Sequence, residues 1–532
     1  MMRFAKSDVV SSDVARNVRR LGLAGSLMFF LGCGGGEQAS RGPQHVDIPA
    51  RDTTAKPAKG SVTPGKESPP GASASKESPF PKVARAKLAN GLDVAVTEAH
   101  ALPIVQIRVL VHAGTGYGQG AGTAELTAAM LKDGGTRTMT SAQLLNRVES
   151  LGANLSVDVG FDASTFGMAV TKDHLGDALT ILNELVREPR FDEGELKKLK
   201  ARATDEAEDN ARSNGTWTAT RVLFRELYSP TNPYATYGLS PSEIAKIALP
   251  ALKDFHRRFY VPKNVTIVLA GDVEASAQKL VEARFGDWKG GDPPKTDFPP
   301  AIVAKARRVV IADRPKSAQS DVFIVNLGPE RRTSNWPAVR VANQVLGGGV
   351  ASRIFNDVRE QRSLAYSARS QIIELAHGAQ PFVAYAGTAT PKTALAAQGL
   401  LDNLEKLRKS GLDAAETETA RRFLSDIFAI RMETIGSIAD LIVQADTLGL
   451  PDGYWDVYRG AVRSVDATEA GAAGGALVNP DAALIVVAGD AEIIAPALAH
   501  FGEVTIVNPE QDFKTTKTLP ANAQAPLEIT KK

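Results

Sequence analysis

Two stretches of this chain are written alike and lie a whole domain apart. The first is Val261-Pro-Lys-Asn-Val-Thr-Ile-Val-Leu-Ala-Gly271-Asp272, and the second is Asn479-Pro-Asp-Ala-Ala-Leu-Ile-Val-Val-Ala-Gly489-Asp490. Their glycines stand 218 positions apart. Each stretch reads as a buried strand, an apolar run rich in β-branched residues that is closed by a Gly-Asp turn. A second pair keeps the same order: Leu92-Asp-Val-Ala-Val96 opens the first half and Arg308-Val-Val-Ile311 opens the second. At 532 residues the chain is also too long for one ordinary core, so it is expected to be built from two similar halves.

Within each half the strands come first, at Val105–His112 and Val322–Leu327. Helical patterns then alternate with further strands, as in Ala142–Leu151 followed by Asn154–Val159. Ala178–Val186 carries apolar residues at helical spacing, whereas Glu193–Ala211 is charged and reads as a mostly exposed helix. The fold class is therefore α+β, with two homologous sandwich halves, each a mixed or antiparallel sheet with helices packed on it. The first half spans 83–290, a Gly/Pro-rich linker 291–304, and the second half 305–510. A polar tail, 511–532, is expected to fray.

The N-terminus reads as an export signal over 1–33. Arg16, Arg19 and Arg20 precede the apolar run Leu21–Gly32, which is too short to cross a bilayer as a helix. The run ends at Cys33, the only cysteine of the chain, which resembles a bacterial lipoprotein processing site. The alternative is an ordinary secretory signal with an incidental thiol. Residues 34–82 are rich in Gly, Ser, Pro, Lys and Ala and form a disordered tether by composition. Lipidation of Cys33 would hold the folded part at the periplasmic side of the bacterial cell envelope through a membrane anchor. The net charge of +2, without a basic block in the folded part, gives nucleic acid no electrostatic footprint.

The chemistry rests on two motifs. The first is Gly122-Thr-Ala-Glu125-Leu-Thr-Ala128-Ala129-Met130-Leu131, ending in Asp133-Gly-Gly-Thr136. The second is Leu346-Gly-Gly-Gly-Val-Ala-Ser352-Arg353-Ile-Phe-Asn-Asp-Val-Arg359, followed by Leu364-Ala365-Tyr366-Ser367. With Asn232-Pro-Tyr-Ala-Thr-Tyr-Gly238, Tyr260-Val-Pro-Lys-Asn264 and Gln319-Ser320, they resemble the insulinase and mitochondrial-processing-peptidase family of zinc peptidases over roughly residues 83–510. That resemblance implies a clamshell of two halves, with zinc in one and an Arg/Tyr pair reaching the substrate peptide from the other. It places Glu125 where the first zinc histidine belongs, Ala128 on the general base and Ala129 on the second histidine. An alanine offers nothing to a metal or a proton, so no catalytic motif is intact. Glu206, 77 residues after Ala129, falls on the third ligand, and it also reads as one charge on an acidic helix face. Arg359 and Tyr366 fall on the substrate-binding pair: a planar fork of donors for peptide carbonyls, and a hydroxyl for a developing oxyanion.

No other metal site is legible. The seven histidines (His45, His100, His112, His174, His256, His377 and His500) include no pair three to five residues apart. The glycine stretches Gly114–Gly122 and Gly347–Gly349 lack the ending of a phosphate loop and read as flexible entries into helices. Ala470–Ala476 reads as a small-residue helix or loop. The resemblance then implies a non-catalytic, substrate-binding subunit with no cofactor of its own. Its partners are a homologous subunit bearing the zinc and an extended peptide. Two alternatives stay open: a stand-alone peptide-binding or scaffold pseudoenzyme, and an active zinc peptidase with unrecognised ligands.

Overall fold

The computed structural model describes residues 78–118 and 120–529. The signal, Cys33 and nearly all of the tether lie outside the described residues. Two sheets organise the rest. The first contains β1 (Val83–Lys87), β2 (Asp93–Glu98), β3 (Ile104–Val111), β4 (Ser156–Val159), β5 (Ser164–Thr171) and β6 (Val265–Gly271), in the order β1-β2-β6-β3-β5-β4. The second contains β7 (Arg308–Asp313), β8 (Gln319–Glu330), β9 (Ser367–Ile372), β10 (Ala379–Ala389), β11 (Leu484–Gly489), β12 (Val504–Asn508) and β13 (Lys514–Leu519), in the order β13-β12-β7-β11-β8-β10-β9.

The repeat is exact in topology over five strands. β2 runs parallel to β6 as β7 does to β11, and each later neighbour in the order is antiparallel. The repeated apolar stretches become β6 and β11, the second strand of the shared five in each sheet, and every residue of both is buried. The sheets are thus mixed, and the fold is α+β. Beyond the shared five, β1 adds antiparallel to β2, whereas β12 adds parallel to β7.

Alternation along the strands explains why β6 and β11 carry no polar face. On the first sheet Val94, Val96, Ile107, Val109, Ile267 and Leu269 meet helices of their own half. The other face, with Ala95, Val268 and Ala270, belongs to the core that holds Ile438, Ala439, Leu441 and Ile442. Those residues lie on helix Ile435–Thr447 of the second half, which packs on β3 and β6. The second sheet does the converse. Its residues Val310, Ala312, Phe323, Val325, Val486 and Ala488 pack against Ala219, Val222, Leu223, Phe224 and Leu227. These lie on helix Gly215–Leu227 of the first half. Each half therefore supplies a helix to the other's sheet.

Polar ties reinforce the exchange. The buried Tyr234 hydroxyl donates to Asp162 at 2.6 Å, and the Ala376 N–H of the second half donates to the same carboxylate at 2.9 Å. Arg108 of β3 pairs with Asp440 on the exchanged helix at 2.9 Å. Helix Glu193–Ser213 hands over to helix Gly215–Leu227 through Asn214, whose side chain accepts from the Trp217 N–H and caps the new helix. The next residue is glycine, and a Cβ on Gly215 would displace the Asp321 carboxylate and the Arg314 guanidinium that lie against it.

Two expectations change, and one open alternative is decided. The polar tail does not simply fray: Lys514–Leu519 pairs antiparallel with β12, and Ala525 is buried. Its side chains are exposed almost throughout, so hydropathy carries no trace of a strand held by main-chain bonds at a sheet edge. The glycine entry at Gly122 is packed rather than loose, with φ +82° and a Cβ position pressed by Leu239 and Ile247. Ala470–Ala476 lies in helix Ala467–Leu477, where Gly474 lets the helix approach Leu407 and Ala342 closely. Among the described residues no helix is long and apolar enough to cross a membrane.

The exchange makes a measurable demand on stability. Phe224 is fully buried on a first-half helix but packs in a core completed by the second sheet. Phe224→Ala is expected to cost about 3–5 kcal/mol in urea denaturation. Amide exchange should quicken in β8 and β11 as well as in the mutated helix; protection lost in the first half alone would contradict the exchanged packing.

Candidate functional site

Helix Thr123–Asp133 begins at Gly122 and buries nearly every side chain. Ala128 is 0 % exposed and Ala129 4 %, and both sit in the apolar core with Leu126, Met130 and Leu131. Their methyl groups fill the places where the resemblance puts a base and a ligand. Of the three motif positions, Glu125 alone carries a polar group. Its Oε2 is enclosed and has no hydrogen-bond partner. Burial, opposed by a hydrogen bond from its own backbone and reinforced by the nearby Glu243 charge, raises its pKa to about 7. Glu243 is itself held by Arg221, whose Nη2 donates to it at 2.6 Å.

Glu206 lies on helix Glu193–Ser213, which packs against Thr123–Asp133 and is tied to it by the Arg202–Asp133 pair at 3.0 Å. Burial alone raises the Glu206 pKa. Zinc in a hydrolase takes three protein ligands and leaves a fourth position for water. One carboxylate and two methyls on the motif helix do not fit that requirement. Among the described residues no group of three or more His, Cys, Asp or Glu side chains is arranged so that it could hold a metal ion. The described histidines are engaged separately: His112 with Thr266, His256 with the Val186 carbonyl, His377 with Tyr117, His100 with Asp272 and Glu98, His174 with Asp177 and His500 with the Ala525 carbonyl. Beside the motif helix runs β4, an edge strand whose only strand partner is β5.

The second motif is arranged differently. Residues Phe355–Gln361 form a π-helical turn, a winding that often marks functional positions. Arg359 projects from it, with its guanidinium 4.6 Å above the Phe355 ring and 3.5 Å from Glu360. Tyr366 leads into β9; its N–H donates to the Gly387 carbonyl at 3.0 Å. Its side chain is 52 % exposed, and its hydroxyl donates to Gln319 at 3.3 Å.

Tyr366 lines a cleft of about 660 Å³ where the halves meet. Residues Ser213–Thr216 form the first-half wall, and Arg314, Gln319, Asp321 and Tyr385 face them. The Tyr385 hydroxyl donates to Asp321 at 2.7 Å, and the Thr216 hydroxyl donates to the same oxygen at 3.2 Å. Burial, and then the Asp321 charge, raises the pKa of Tyr366 and of Tyr385, so both phenols stay neutral donors. Arg359 does not line this cleft. Asp321, Tyr385 and Thr216 escaped the reading of the sequence. Gln319-Ser320 marked the neighbourhood of Asp321, but Tyr385 sits in an apolar run that reads only as core.

The buried acid on the motif helix has a pH consequence. The folded chain keeps Glu125 protonated up to about pH 7, against an ordinary value of 4.5. Folding thus binds a proton between these values, and stability contributed by this group falls as pH rises through them. Glu125→Gln is expected to raise the urea midpoint at pH 8 and to leave it nearly unchanged at pH 4. An equal effect at both values would contradict the buried-acid assignment.

Comparison with known proteins agrees with this geometry. The model "Insulinase (Peptidase family M16)" matches residues 93–240, and "Peptidase M16 inactive domain" matches 246–424. The Helicobacter pylori protein named "Non-peptidase homolog YmxG" is 27% identical over 371 residues, which cover 67% of this chain and 82% of that protein. The Helicobacter pylori "Zinc protease PqqE" is 22% identical over 398 residues, covering 72% and 88%. The crystal structure of a peptidase M16 inactive domain from Pseudomonas fluorescens superposes with a TM-score of 0.71 at 26% identity, covering 77% of this chain and 98% of that one. With both halves matched by models of one family, and with the fold shared over 77% of this chain, the chain belongs to the insulinase (M16) peptidase family.

Proposed function

We propose that this chain is the substrate-holding, non-catalytic subunit of a heteromeric zinc peptidase at the cell envelope. The observation that carries the reading is the contrast between the two motifs. The metal helix presents Ala128 and Ala129 to a closed core, while Tyr366 remains open in a cleft. The name "Non-peptidase homolog" on one relative supports the first half of that contrast. That Helicobacter pylori carries a second relative named a zinc protease is in keeping with a pair of unlike subunits.

In this reading an extended peptide adds to the free edge of β4 through main-chain hydrogen bonds. Arg359 donates to peptide carbonyls, and the Tyr366 hydroxyl donates to the carbonyl that becomes an oxyanion. The metal, the attacking water and the general base come from the partner. Cys33 carries the lipid that keeps the complex at the membrane.

Two experiments test this. In a complex reconstituted with a homologue that bears the intact zinc motif, Tyr366→Phe should lower kcat/KM on the order of 10²-fold without affecting assembly. Arg359→Ala should act mainly on KM. Unchanged kinetics, or failed assembly for Tyr366→Phe, would remove the substrate-holding role. For the anchor, Cys33→Ala should move the protein from the membrane to the soluble fraction and abolish palmitate labelling; retention at the membrane would contradict it.

A further inference from the structure

The two phenols of the cleft share one floor. A Cβ added to Gly387 of β10 would lie 2.7 Å from the Tyr366 hydroxyl oxygen and 2.8 Å from that of Tyr385. Both hydroxyls therefore converge over a residue that offers no side chain. Tyr385 is fixed from two sides: its hydroxyl donates to Asp321, and the Arg369 guanidinium stacks 4.1 Å from its ring centre. Asp321 in turn takes the Thr216 hydroxyl, at the start of the helix that the first half lends to the second sheet. Tyr366 itself makes a long hydrogen bond to Gln319 at 3.3 Å and a side-chain hydrogen bond with Tyr385, so its ring relies on this surround for its place.

We propose that Tyr385 and Asp321 are positioning residues for Tyr366, and that through Thr216 they tie its placement to the junction of the two halves. The residue that meets substrate is Tyr366; the other two act through it. Because the Tyr385 proton is committed to Asp321, the Tyr385 oxygen presents lone pairs to its neighbour. The Asp321 charge also resists ionisation of Tyr366, which keeps the hydroxyl a donor. This inference rests on the substrate-holding reading of Tyr366, and it extends that reading to three residues no motif marks.

The test has one arm that needs neither partner nor peptide. In the full-length chain carrying tyrosine labelled with ¹³C at Cζ, the Tyr366 resonance is assigned by its loss in Tyr366→Phe and titrated at alkaline pH. Asp321→Asn should lower the midpoint of Tyr366, and Tyr385→Phe should displace its resonance. Thr216→Val, similar in size and without the hydroxyl, should displace it in the same direction by less. The second arm measures kcat/KM of the reconstituted complex as a double-mutant cycle. Tyr385→Phe should cost about tenfold in the wild-type background, the scale of one hydrogen bond to a charged group, and almost nothing in the Tyr366→Phe background. Gly387→Ala should cost at least as much as Tyr385→Phe, since its methyl displaces both hydroxyls. A Tyr366 resonance and midpoint indifferent to Asp321→Asn and Tyr385→Phe, or strictly additive losses in the cycle, would overturn the proposal. If Tyr366→Phe alone leaves the complex unchanged while the resonance still responds to Asp321→Asn, the network stands and the substrate-holding role of Tyr366 fails.

Discussion

Neither sheet covers both of its own faces, and the helix that closes each one comes from the other half. Gly215–Leu227 packs under the second sheet and Ile435–Thr447 under the first. Burial at about 25 cal/mol per Å² is the dominant favourable term, so a half deprived of its borrowed helix would expose the Val, Ala and Phe side chains beneath it. Folding of one half is thereby coupled to folding of the other. The buried Asp162, bonded by Tyr234 of the first half and by the Ala376 amide of the second, fixes the same relation by hydrogen bonds.

This exchange also decides what the cleft is. The borrowed helix starts at Gly215, and its first turn is the wall opposite Tyr366. The cleft is therefore a by-product of the joint between halves, with Thr216 and Asp321 bonded across it. On the helix Thr123–Asp133, by contrast, the motif positions are closed in. Ala128 and Ala129 are ordinary core, and Glu125 is an acid that its surroundings keep protonated to about pH 7. The two motifs differ in physical character.

The broad architecture was legible because it rests on periodicity. The repeat at Gly271 and Gly489 is the pair of central strands, and the periodic segments of the first half are helices close to where the pattern puts them. What remained hidden was non-local. An exposed edge strand such as Lys514–Leu519 has no hydropathy signature. The exchange of helices leaves an amphipathic pattern that is the same whichever sheet receives it. The same holds at the site. Glu125, Ala128 and Ala129 could be named from their spacing, whereas Tyr385 and Thr216 act only through distances that folding creates. The spacing of Arg359 and Tyr366 did not foretell that the tyrosine lines the cleft while the arginine projects from a separate π-helical turn.

The central claim is that this chain holds the fold of a zinc peptidase without a site that retains the metal. Its most direct test is zinc quantitation on the purified full-length chain, paired with a chelator-controlled assay of peptide cleavage on the same sample. The account predicts zinc far below one ion per chain and no chelator-sensitive cleavage. Close to one zinc per chain, together with cleavage that a chelator abolishes, would contradict it.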